Sequence, residues 1–329
     1  VTDIGNQYPI IDTGAGWHER ADRGFVRVEG ADRVSFLQAL LTNDLAVLTP
    51  ERGVYAAYLT PQGRMISDMR VYDRPEGILL DVPAPVAAAL AAKLDALIFS
   101  EDVRVTDASP EWAVITIVGR NAATLLEAAA GLDAGTLAGL PTLGVAEADR
   151  SWIVRTDDAG GEIFDVFIDT ASRTFVISRL EAAGIRPISR DLVDVFRIEA
   201  GRPAFGTDMD EHTIPLEAGL LDRAISLTKG CYVGQEVIVR VLHRGAGRVA
   251  KRLVRLAFDA ALQTPPAPGT PLLVDGKESG RVTSSARSPR LGRVVALGYL
   301  AREDADAVRQ PSASVDGRDW RAEVLGPAG

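Results

Sequence analysis

The chain has 329 residues, 47% of them hydrophobic, with a formal net charge of −9 and one cysteine. That charge excludes a broad nucleic-acid footprint, which needs a basic face. A single thiol excludes an internal disulfide and any zinc or iron–sulfur centre held by cysteines alone. No apolar run is long enough to suggest a membrane span. Residues 1–16 lack the basic stretch and apolar core of an export signal, so a cytoplasmic location is expected.

In chain order, residues 25–29 alternate as a half-buried strand. Residues 31–41 carry Val34, Leu37, Leu40 and Leu41 on one face, which predicts a helix. Residues 55–59, 65–72 and 78–82 read as strands, the first two joined by a Pro61-Gln62-Gly63 turn. A helix opened by proline follows over 85–99, with Leu90, Leu94, Leu97 and Ile98 on its apolar side. Strands at 103–105 and 112–118 and a helix at 121–130, stopped by Gly131, complete a first round. The second round has strands at 145–148, 152–156 and 163–168 and a helix at 172–183 that ends at Gly184. Residues 191–199 fit either period and are read as a helix leading into Gly201. The repeated order predicts an α+β class, with two ferredoxin-like units built on antiparallel sheets.

From Lys251 the texture changes. Residues 252–258 alternate, a proline-rich loop spans 264–269, and 271–274 with 279–284 flank Asp275-Gly276 as a hairpin. Strands at 294–300 and 321–325 follow, with one short helix at 301–307, so this part reads as an all-β barrel. The expected division is 1–245, holding the two α+β units with inner boundaries near 50 and 145, and 246–329 for the barrel.

Missing motifs constrain the chemistry. His18, His212 and His243 stand far apart, with no HExxH or CxxC spacing, so no protein-built metal site is expected. No GxGxxG follows a strand, and neither GxxxxGK[ST] nor a GxSxG elbow occurs.

Two segments stand out. In Lys229-Gly230-Cys231-Tyr232-Val233-Gly234-Gln235-Glu236 the lone thiol lies between two glycines, two positions after a lysine. One reading is a small core residue, because free cysteine is among the most buried types. The other is an activated thiol. Lys229 supplies positive charge, and a helix starting near Gly234 would bring its N-terminus close to Cys231; both lower a thiol pKa. The β-branched Val237-Ile238-Val239 would equally suit a strand. The second segment, 197–211, holds Glu199 just before a glycine. There a carboxylate can pair with two N–H donors of an aminopyrimidine ring, or stand solvated at a helix end.

At these segments the chain resembles the superfamily of the glycine cleavage T-protein, a tetrahydrofolate-dependent aminomethyltransferase. The resemblance runs through Phe36-Leu37-Gln38-Ala39-Leu40-Leu41-Thr42-Asn43-Asp44, Leu59-Thr60-Pro61-Gln62-Gly63-Arg64, residues 197–215, Gly280-Arg281-Val282-Thr283-Ser284 and Ala296-Leu297-Gly298-Tyr299. The motif at 229–236 is similar to the signature of the YgfZ branch of that superfamily. The resemblance implies three domains in a cloverleaf around a central folate channel, with tetrahydrofolate or a one-carbon derivative as cofactor. The branch motif implies a folate-binding accessory role in iron–sulfur cluster assembly or repair, with iron–sulfur enzymes or assembly proteins as partners. The alternative is a one-carbon transferase of the T-protein type. A plain thiol redox role would lack a resolving cysteine.

The resemblance also implies roles for single residues. Cys231 and Lys229 are the candidate reactive residues, since the T-protein usually carries an acidic residue at the place of Cys231. Glu199 matches a pterin-holding glutamate, Phe205 an aromatic residue that stacks near the folate, and Asp81 a polar position of the folate pocket. The T-protein has two adjacent aspartates after its strand turn, the first of them catalytic. Here the pair is Ser67-Asp68, so that carboxylate is expected to be absent, with Asp68 a partial substitute. Folate binding is expected to be kept, and aminomethyl transfer to be lost or altered.

Overall fold

The structure of the protein, a computed structural model, describes residues 4–158, 162–243 and 247–329. The expected junction between residues 245 and 246 lies outside the described residues.

The first sheet is antiparallel, in the order Val54–Leu59, Met65–Arg74, Gly77–Pro83, Arg23–Glu29, Arg104–Asp107. Alternation divides each strand between two faces. Val26, Val28, Ala56, Met69, Val71, Ile78 and Leu80 pack on one face, beneath Leu37 and Leu40 of helix Arg33–Leu40 and Leu90 and Leu94 of helix Ala87–Asp95. Phe25, Tyr72 and Leu79 point the other way and meet Val114, Trp152, Val154 and Phe167 of a second sheet. Trp152 stacks on Phe167 with ring centroids 3.9 Å apart, and Tyr72 meets both edge-on. This aromatic layer joins the two sheets back to back.

The second sheet runs Arg186–Pro187, Gly16–Glu19, Trp112–Val118, Ile163–Asp169, Ser151–Thr156, Val145–Ala148. Its outer face is covered by helices Ala122–Ala130 and Arg173–Ala182. The layers are therefore helices, sheet, sheet, helices. Helix Arg190–Ala200 and the segment after it close one end of the space between the sheets. The last part of the chain is a closed barrel, in the order Lys251–Phe258, Arg293–Ala301, Lys277–Ser288, Pro271–Val274, Ser312–Val315, Arg318–Pro327. Its first hairpin turns through Asp275 at φ 50° and Gly276 at φ 75°, the two positive φ values of a two-residue type I′ turn.

The elements follow the predicted order, but strand Trp112–Val118 and helix Ala122–Ala130, expected to complete the first round, belong to the second sheet and its helix layer, because Trp112–Val118 pairs with Ile163–Asp169. The helix expected over 85–99 is shorter, Ala87–Asp95, preceded by a 3-10 turn at Ala84–Val86. Leu97 and Ile98 still pack against the same core from the loop beyond it. Helix Ile4–Thr13 and the strands Gly16–Glu19, Arg186–Pro187 and Ser312–Val315 had no sequence signal of their own, being short or lacking alternating burial. Residues 237–239 lie in a helix, Gln235–His243, despite their β-branched side chains. Only Ile238 of that helix is fully buried, so one anchored position and the turn before it outweigh local β-propensity. No helix among the described residues is long and apolar enough to cross a membrane.

Candidate functional site

A cavity of about 420 Å³ opens where the two sheets, helix Arg190–Ala200 and residues 202–207 meet. Strand Met65–Arg74 forms part of its wall. Residues 69 and 71 face the helices, and 68, 70 and 72 face the second sheet. A pleated strand can send only one of two neighbours into the cavity. Ser67 turns away, wholly buried, and its hydroxyl donates to the Asp68 carbonyl at 2.7 Å. Asp68 faces in. The register thus turns Ser67 away and brings Asp68, the residue read as a partial substitute for the missing carboxylate, to the cavity wall.

The Tyr55 hydroxyl donates to Asp68 Oδ2 at 2.7 Å, and the buried Asp68 Oδ1 has no partner among the described residues. Burial, and then the Asp68 charge, push the Tyr55 pKa well above its usual value, so the phenol keeps its proton and remains a donor. The arrangement holds one carboxylate oxygen in place and leaves the other free for a ligand.

Among the described residues, seven arginines line the cavity: Arg20, Arg23, Arg70, Arg190, Arg197, Arg202 and Arg223. Most are fixed by carboxylates. Arg20 forks onto Asp22 at 2.8 and 3.0 Å. Arg23 Nε donates to Asp81 at 2.6 Å, and Arg70 Nη1 donates to Asp81 at 2.9 Å and Asp165 at 3.1 Å. Arg70 Nη2 donates to Asp158. Arg202 and Arg223 share Asp157, at 2.9 and 2.8 Å. Burial alone would lower the pKa of Arg20 and Arg70, but their carboxylates outweigh it and raise both. Arg20 in turn overcomes burial at Asp22 and holds its carboxyl below the usual range. The guanidiniums thus present oriented N–H donors that need no rearrangement to meet a polar ligand.

Phe205 also lines the cavity, on the segment after helix Arg190–Ala200. Asp208 fixes that segment. It accepts from Arg197 Nη1 at 2.6 Å and Ala204 N at 3.0 Å, and from the Thr283 and Ser284 hydroxyls of the barrel at 2.5 Å each. The late Thr283-Ser284 block therefore ties the barrel to the wall of the cavity. Asp208→Asn is expected to destabilise the protein by about 2 kcal/mol, read from urea unfolding, because a neutral amide weakens the charge-assisted bonds of a buried acceptor.

The remaining sequence candidates lie elsewhere. Asp81 is wholly buried, with both oxygens taken by Arg23 and Arg70. It positions two arginines of the cavity and has no oxygen left for a ligand. Glu199 does not line the cavity. Arg190, Asp194 and Arg197 recur at helical spacing on the cavity side, and Glu199 lies about 200° around the helix from Arg197. It accepts from the Ser288 hydroxyl of the barrel and lies 2.6 Å from Arg290 Nη2.

Lys229 and Cys231 do not form a reactive pair. Lys229 Nζ donates to the carbonyls of Gln38 and Leu41 at 2.6 Å each and of Asn43 at 3.0 Å, so all its protons are committed. Burial pushes its pKa down to about 8, against the pull of Asp44. Tyr232 is buried in the core below. Gly234 has φ 82°, and a Cβ there would meet the Thr60 carbonyl at 2.5 Å. Cys231 is exposed, so it is neither the core residue of one sequence reading nor part of the cavity. Lys229, Tyr232 and Gly234 of the motif thus serve packing and turn geometry.

Tyr55 and the arginines were not singled out from sequence. Strand alternation was the available signal for Arg70, which shares a face with Asp68. Tyr55 and Arg23 lie on two other strands of the first sheet, and the remaining arginines come from loops and helices, so only the fold brings them together.

Comparison with known proteins agrees with this architecture. Residues 5–229 match the GCVT N-terminal domain, and residues 251–328 match the glycine cleavage T-protein C-terminal barrel domain. The chain belongs to the glycine cleavage T-protein family. An aminomethyltransferase of Rubrobacter xylanophilus is 32% identical over 299 residues, covering 90% of this chain and 79% of the relative. One from Synechocystis is 30% identical over 329 residues, covering 97% and 86%. The fold is shared with the crystal structure of glycine cleavage system aminomethyltransferase T from Bartonella henselae, at TM-score 0.85 and 21% identity over 98% of this chain and 88% of that one. These matches overturn the iron–sulfur accessory role expected from the 229–236 motif. The relatives named aminomethyltransferase cover nearly the whole chain, whereas the motif spans only eight residues.

Proposed function

We propose that the cavity binds a reduced folate and that the chain is a one-carbon transferase of the aminomethyltransferase kind. Asp68 carries this reading: a carboxylate held by Tyr55 on one oxygen, with the other oxygen free inside a polar cavity. The residues present suit a folate. A volume of about 420 Å³ falls within the range of small-molecule sites. Phe205 offers a ring face to a pterin or benzoyl group, and the fixed guanidiniums suit the carboxylates of a folate tail. When bound, the folate supplies the amine that accepts the one-carbon unit. Asp68 Oδ1 would hold or remove a proton there, and Tyr55 would keep the carboxylate oriented.

Calorimetric titration tests the binding step. The folded protein is expected to bind tetrahydrofolate, and Phe205→Ala to weaken that binding about tenfold through loss of an aromatic contact. A folded wild-type protein that takes up no tetrahydrofolate would overturn the proposal.

A further inference from the structure

Tyr55, Arg70 and Arg223 line the cavity described above and also a second one, of about 440 Å³, whose wall includes Asn43, Arg52 and Asp157. Tyr55 therefore stands between two open spaces, and a phenol there has room to turn. Its backbone is fixed. Asn43 Nδ2 donates to the Tyr55 carbonyl at 2.8 Å and to the Arg223 carbonyl at 3.1 Å. Beside it, Thr42 Oγ1 donates to the Ala224 carbonyl at 2.6 Å and accepts from Ala57 N at 2.8 Å. Strand Val54–Leu59 and the short helix Leu221–Ala224 are thus stitched together. What is left to hold is the ring. Arg223 Cζ lies 5.0 Å from its centroid, within cation–π range. Arg223 Nη2 donates to Asp157 Oδ1 at 2.8 Å, and Asp157 Oδ2 lies 2.9 Å from Arg202 Nη2. Burial and the Asp68 charge raise the Tyr55 pKa, and Arg223 is the strongest pull the other way, so the cation strengthens the phenol as a donor without taking its proton.

We infer that Arg223 is a positioning residue for the proposed transfer: tethered to Asp157 and laid over the Tyr55 ring, it keeps the phenol hydroxyl on Asp68 and out of the second cavity. The inference rests on the one-carbon-transfer reading, in which Asp68 Oδ1 handles the proton and Tyr55 orients the carboxylate. Contacts run in series from Asp157 to the Arg223 guanidinium, to the Tyr55 ring, and through its hydroxyl to Asp68. Among the described residues, no other guanidinium of the cavity covers that ring. Arg223 therefore acts through Tyr55, whereas the other arginines are held by carboxylates away from it.

Arg223→Gln keeps a long polar side chain and removes the charge. Single turnover at saturating tetrahydrofolate is expected to slow about tenfold, while the Kd for tetrahydrofolate stays within about threefold of wild type. Arg223→Lys keeps a cation in reach of the ring and is expected to recover a rate within about threefold of wild type. The double variant Arg223→Gln/Tyr55→Phe is expected to be no slower than Tyr55→Phe, because no hydroxyl is left to position. Asp157→Asn loosens the tether from its other end and leaves the guanidinium in place. It is expected to slow turnover about threefold, and to have no effect once Tyr55→Phe is present. A wild-type rate in both Arg223→Gln and Asp157→Asn, a loss in Arg223→Gln that appears in Kd alone, or losses that multiply in the double variant overturn the positioning role while leaving the transfer reading intact. Absence of turnover by the wild type overturns the transfer reading, and the positioning role with it.

Discussion

Asp68→Asn is expected to lower one-carbon transfer to tetrahydrofolate by at least about a hundredfold, the usual scale for removing a positioned acid–base group. The amide keeps the size of the carboxylate and can still accept the Tyr55 hydrogen bond, made at 2.7 Å in the parent chain. Folding and folate affinity should therefore change little, and the loss should fall on kcat. Tyr55→Phe is expected to cost less, about tenfold, since it removes the group that orients the carboxylate and leaves the carboxylate itself. Single-turnover formation of methylene-tetrahydrofolate reads both. If Asp68→Asn turned over at the wild-type rate, the free oxygen would have no catalytic role. Ser67→Asp provides the converse. The added carboxylate would lie on the helix-facing side of the strand, where burial without a partner destabilises the protein and brings no activity.

Lys229→Met is expected to destabilise the protein by about 4 kcal/mol, measured as a fall in the urea midpoint at unchanged m-value. Methionine replaces the aliphatic stem but leaves the Gln38, Leu41 and Asn43 carbonyls without the ammonium that they share. Those carbonyls lie at and just beyond the end of helix Arg33–Leu40, where the chain lacks further helical donors. Lys229 therefore joins residues about 190 positions apart in sequence, at the boundary between the first sheet's helices and the segment after residue 200. By contrast, Cys231→Ser should stay within about 0.5 kcal/mol of wild type, as expected for an exposed side chain. A large loss of activity in that variant, with stability unchanged, would return the thiol to the list of functional groups.

Local patterns carried the fold a long way. The alternation of residues 25–29 and 65–72, the i, i+3, i+4 apolar spacing of the helices and the Asp275-Gly276 turn each depend on near neighbours, and each element forms near its expected place. The site was less legible because its residues are selected by phase and register. Ser67 and Asp68 are adjacent in sequence and face opposite ways, and which of them enters the cavity follows from how the strand pairs and which face the helices cover. Glu199, matched by resemblance to a pterin-holding residue, lies off this cavity, because two residues along the helix from Arg197 carry its side chain to the far side. The 229–236 motif looked like chemistry because lysine beside cysteine is a known way to activate a thiol. Its lysine instead bonds carbonyls that no local pattern connects with it. The arginines of the cavity come from five separate stretches of chain, and their arrangement depends on carboxylates from both sheets.

The most direct test of the central claim is turnover by the unmodified protein. Purified chain would be mixed with tetrahydrofolate and an aminomethylated lipoyl carrier protein, and methylene-tetrahydrofolate followed over time. Formation that requires both partners, and that falls at least about a hundredfold in Asp68→Asn, is the predicted result. Tight tetrahydrofolate binding with no methylene-tetrahydrofolate formed under any of these conditions would contradict it.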